Sequence, residues 1–98
     1  MEEEPHISST LQWQDVSLPP GITEADLDAA ILSVVDQNWR KTAFIISKVT
    51  QAFEEHGVPL NYEIVGARVL ELGTRGTIDS AGNLSMWRHS EVRLPPSS

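Results

Sequence analysis

The side chains that could do chemistry are few and poorly placed to do it. The histidines are His6, His56 and His89. They fall in an N-terminal arm, at a helix end and in a hairpin. None has another His or a carboxylate at a metal-ligand spacing. His89-Ser90-Glu91 contains the residue types of a nucleophile relay. Neighbours on a strand point to opposite faces, so these three do not form one. Glu54-Glu55 reads as an exposed pair at a helix end, and no glycine-rich phosphate loop is present. Without cysteine there is neither a thiolate metal site nor a disulfide. The expectation is no catalytic residue, no metal, no cofactor and no enzymatic activity.

Binding chemistry is the remaining class, and charge bears on it. The 98 residues carry a net charge of −7, unevenly spread. Residues 1–36 hold eight acids and no Lys or Arg, whereas residues 37–98 hold six acids and all seven bases. Phosphate recognition needs clustered cations, because affinity comes largely from counterion release. Nucleic acid is therefore a disfavoured partner. No apolar run is long enough to cross a bilayer. The Met-Glu-Glu-Glu start is the opposite of a signal peptide's basic start. Together with the lack of cysteine, this predicts a cytoplasmic protein.

The elements that position any site follow from periodicity. Residues 1–22 read as an acidic arm ending in a Pro19-Pro20-Gly21 break. Within it, "LQWQDVSL" at 11–18 is either a candidate third strand for a sheet edge or part of a loosely ordered arm whose Trp13 packs on the domain. Thr23 and Asp26 make a capping-box pattern. Leu27, Ala30, Ile31, Val34 and Val35 then form one helical stripe. Asn38 is expected to cap a second helix to about His56, with Trp39, Ala43, Ile46, Val49 and Phe53 on its buried stripe and Phe44 and Ile45 widening it. Asn61 opens a third helix at 61–73, with Ile64, Val65, Arg68, Val69 and Leu72 on one face. Arg68, a charge on a buried stripe, is predicted to be paired or snorkelling. Strands are expected at Thr77–Asp79 and Leu84–Arg88 around a turn at 80–83, with "EVRL" at 91–94 extending the return strand or adding another. Residues 96–98 are a tail. The expected class is α+β: a three-helix, winged-helix-like domain over 23–95 with a C-terminal β-hairpin.

Trp39-Arg40-Lys41, Arg68, Leu72, Gly76, Gly82, Leu84 and Ser90-Glu91-Val92-Arg93-Leu94 together resemble a bacterial family of small winged-helix-like domains of unknown function. The resemblance covers about residues 24–95. It implies the fold, but no activity.

Two sets of site residues follow. Tyr62, Ala67 and Leu70 are expected on the outer face of the third helix as an apolar patch rimmed by Glu63 and Glu71, with Gly66 beside them. With Trp87, predicted to point away from the helices, and Trp13 of the arm, they would serve a protein partner or a second copy in a homodimer. The favoured reading is thus a non-enzymatic interaction or regulatory module. The alternative is a DNA-binding regulator using helix 61–73 and a wing over 77–94, whose Arg75, Arg88 and Arg93 would meet phosphates. Ion pairs with Glu71, Asp79 and Glu91 are the plainer role for those arginines.

Overall fold

A capping box starts the first helix. In the computed structural model, which describes residues 9–96, the Thr23 hydroxyl accepts from Asp26 N at 3.1 Å and the Asp26 carboxylate accepts from Thr23 N at 3.0 Å. His6 and Glu2–Glu4 lie outside the described residues, as do the last two of the tail. Helix α1 runs Glu24–Val34 and buries Leu27 and Ile31, followed by buried Val35. Asn38 does not cap the next helix. Its N–H donates to Asp36 Oδ1 at 2.9 Å, and Arg40 bonds the other carboxylate oxygen at 3.0 Å. The chain turns there and extends as a short strand, β1 (Arg40–Lys41), before α2 (Thr42–Glu55) begins.

Helix α2 buries Thr42, Ile45, Ile46, Val49 and Thr50. Helix α3 (Tyr62–Arg75) is capped by the Asn61 side chain, which accepts from Glu63 N at 2.7 Å, and ends on Gly76 in the left-handed region. Strands β2 (Asp79–Ala81) and β3 (Glu91–Arg93) complete an antiparallel sheet in the order β1-β3-β2. Val92, opposite Arg40 and Ser80, is fully buried against the helices. The class is α+β, as the pattern predicts.

Several details differ from expectation. The third strand comes from Arg40–Lys41 and not from the arm, which among the described residues forms only a 3₁₀ turn at Trp13–Asp15. The return strand is Glu91–Arg93. Leu84–Arg88 is instead a loop and the start of a 3₁₀ turn at Trp87–His89. The Asn83 carbonyl accepts from Met86 N at 2.8 Å and its side chain from Ser85 N at 3.0 Å, so this backbone is committed to local turns. Strand alternation therefore fails to place these side chains: Trp87, expected to point away from the helices, is buried at 1% exposure, while Met86 is 39% exposed. Trp39, expected in the core, lies before β1 and is exposed. Phe53 is only half-buried, at the lip of an apolar groove of about 270 Å³ that Ala30, Ala52, His56 and Val58 complete.

Candidate functional site

Two surfaces of the chain gather aromatic and cationic side chains. The first is the face of α3 around Arg68. Its guanidinium lies in the buried layer at 1% exposure and crosses to α1. Nε donates to Asp28 Oδ1 at 2.6 Å, and Nη2 donates to Asp28 Oδ2 at 2.8 Å and to Glu24 Oε2 at 3.0 Å. The Asp28 hydrogen bonds hold the Arg68 pKa above its ordinary value, against the opposing pull of burial. The expected paired charge is thus a bidentate clasp between two helices. Trp13 covers it, its ring centroid 4.6 Å from the guanidinium carbon. The arm also touches α3 through Ser9 Oγ, which donates to Glu63 at 3.2 Å, and reaches the following loop through Ser9 N to Ser85 O at 3.1 Å.

That placement corrects the apolar patch expected on this helix. Ala67 is buried at 3% exposure, and Tyr62 and Leu70 are partly buried against the core. Trp87 does not project outward. A Cβ built on Gly66 would meet three of its ring atoms at 2.6, 2.9 and 3.0 Å, so the absence of a side chain at Gly66 is what admits the indole. Gly66 was expected on the outer face and is buried for this reason. Of the predicted interaction residues, the structure brings Trp13 onto α3 and places Trp87 beneath the helix.

The predicted wing arginines do not form a free cationic row. Arg75 pairs with Glu71 at 2.8 Å, one turn earlier on α3. Arg93 reaches Asp79 on the neighbouring strand at 3.3 Å. Arg88 is exposed in the 3₁₀ turn.

The second surface is an open corner where β1 meets α2. Trp39 is 39% and Phe44 44% exposed. Arg93 stacks on Trp39 at 4.5 Å, and Lys48 lies 5.9 Å from the Phe44 centroid, one helical turn on. Lys41, on the strand, is also exposed. Arg40 turns back to Asp36, and that hydrogen bond holds the Asp36 carboxyl below, and the Arg40 guanidinium above, their ordinary pKa ranges. Sequence reasoning missed this corner because it assigned Trp39 to the core. The signal available was Phe44, which lies off the narrow stripe of its helix.

Among the described residues no group of three or more His, Asp or Glu side chains could hold a metal ion. Nor is any helix among them long and apolar enough to cross a membrane. His56 terminates α2, its Nδ1–H donating to Ala52 O at 2.9 Å. Ser90 Oγ donates within the fold, 2.8 Å from Thr42 Oγ1. Neither is arranged as a nucleophile or base. No family model matches the chain, and no curated protein or solved structure matches it either.

Proposed function

We propose that this chain is a non-catalytic protein-interaction or regulatory module with a winged-helix-like organisation, working in a reducing, cytoplasmic setting. The observation that carries the reading is the open corner. Two of the chain's six aromatic side chains, Trp39 and Phe44, remain substantially exposed, each beside a cation. Aromatic residues and arginine are the types enriched where protein interfaces form, and exposed apolar area rimmed by charge marks such surfaces. A second copy of the chain is the first partner to test.

The alternative, duplex DNA recognition, draws on the order of the elements: helix, strand, two helices, then two strands. It is weaker. Helix α3 presents Glu63 and Glu71, Arg75 and Arg93 are paired with acids, and the arm lies across the helix. A chain of net charge −7 would lose what phosphate affinity it had as salt rises.

The test is affinity capture with the full chain against its Trp39→Ala/Phe44→Ala variant, alongside solution mass over a concentration series. The variant should melt as the parent does, yet lose its partner or its self-association at least tenfold. Nanomolar binding of a selected duplex at physiological salt would replace this reading with the alternative.

A further inference from the structure

We infer that the face of α3 around Arg68 is a binding site for a peptide segment bearing an aromatic ring whose two immediate neighbours are uncharged, as Gln12 and Gln14 are beside Trp13, and that residues 9–18 keep it closed until such a segment displaces them. This site is distinct from the Trp39–Phe44 corner, and either can fail without the other.

The arm is built to come away. Within residues 9–18, Ser9 at the far end supplies two hydrogen bonds to the rest of the fold. The turn at Trp13–Asp15 buries none of its residues completely, and Leu18 is only partly buried. Pro19-Pro20-Gly21, with Gly21 at φ +89, separates the arm from α1. The clasp beneath does not depend on it, since Arg68 is tied to Asp28 and Glu24 of α1 and not to the arm. Lifting Trp13 therefore uncovers a preformed, fixed guanidinium.

The same guanidinium shows what the arm does not supply. Nε and Nη2 face the α1 carboxylates, which leaves Nη1 on the opposite corner. Nη1 is buried and has no hydrogen-bond partner among the described residues. A buried charged donor left unpaired is costly, so a ligand that stacks a ring as Trp13 does and also offers an acceptor gains a bond that the arm does not make. The acceptor is a carbonyl, amide or hydroxyl and not a carboxylate. Asp28 and Glu24 already surround Arg68, Glu71 adds to the negative potential there, and Glu63 lies on the same helix. A further anion would be repelled.

The arm's own sequence is the probe. A labelled peptide of residues 9–20 is titrated into the full-length Trp13→Ala chain and into the parent, with melts confirming that both are folded. The variant should bind it saturably. The parent should bind about tenfold more weakly, because a tethered competitor acts at roughly millimolar effective concentration. A peptide with its own Trp replaced by Ala, or with Gln12→Glu and Gln14→Glu flanks, should bind at least fivefold more weakly than the native peptide. If Trp13→Ala is not folded at the assay temperature, Leu18→Ala serves as the opened chain. The inference is overturned if a folded opened chain shows no saturable binding, if parent and variant bind equally, or if the Gln12→Glu/Gln14→Glu peptide binds as well as the native one.

Discussion

Trp13 and Trp39 meet arginines in nearly the same way, with ring-to-guanidinium separations of 4.6 and 4.5 Å. What the two pairs do for the molecule differs. The Arg68 side chain is 1% exposed and holds Asp28 with two hydrogen bonds, so Trp13 closes over a charge that the fold has already fixed. The Arg93 side chain is 34% exposed and reaches Asp79 at 3.3 Å, so Trp39 rests on a charge that water can still reach. A cation–π contact is worth about 0.5–1 kcal/mol at an exposed site and about 2 when desolvated. Equal geometry therefore makes one pair part of the fold's seam and leaves the other available to something outside it.

The comparison can be broken most severely from beneath α3. Trp87→Ala empties a fully buried indole site and should cost about 3–5 kcal/mol in urea unfolding. A loss under about 1 kcal/mol would mean that the Gly66–Trp87 contact does not exist as described. Arg68→Ala should cost about 3 kcal/mol, at the low end for breaking a buried pair because Asp28 and Glu24 keep some water. Arg93→Ala should cost under about 1 kcal/mol, as surface pairs do. Similar losses for the two arginines would erase the distinction between the regions.

The tryptophans sharpen it further. Trp13→Ala should cost about 1–2 kcal/mol, combining a desolvated cation–π contact with partial burial, while Trp39→Ala should stay within about 0.5 kcal/mol. Paired thermal melts decide this.

The smallest effect is one of pH. The Asp36 carboxyl is held below its ordinary range by the Arg40 hydrogen bond first, so its contribution is present at neutral pH and lost as pH falls through that lowered value. The melting difference between the parent and Asp36→Asn should therefore be small and steady near neutrality and vanish in acid. Arg68 behaves oppositely: its pKa is raised, so its cationic charge is retained throughout ordinary buffers and would be lost only at extreme alkaline pH.

Much of this architecture was legible in the sequence. The stripe Leu27–Ala30–Ile31–Val34–Val35 and the Thr23–Asp26 capping box are local patterns, and local physics decides them. Arg68 as a paired buried charge followed from its place among Val65, Val69 and Leu72. Strand β1 was not legible, because two exposed basic residues carry no alternation; their pairing with β3 is set by partners some fifty residues away. Trp87 was misplaced because a strand was assumed where Asn83 makes turns, and the space that admits the indole belongs to Gly66 on another element. The α3 patch was misread because Ala67 is buried and Tyr62 and Leu70 pack partly against a core built from elements distant in sequence. Such long-range contacts are outside the reach of periodicity.

The central claim is that the Trp39–Phe44 corner meets a protein partner. The most direct measurement is cross-linking mass spectrometry on the full chain in its source lysate. Links from Lys41 and Lys48 to one partner or to a second copy, lost in Trp39→Ala/Phe44→Ala, are the predicted result. Unchanged links in that variant, or no protein link at either lysine while nucleic acid co-purifies, would contradict it.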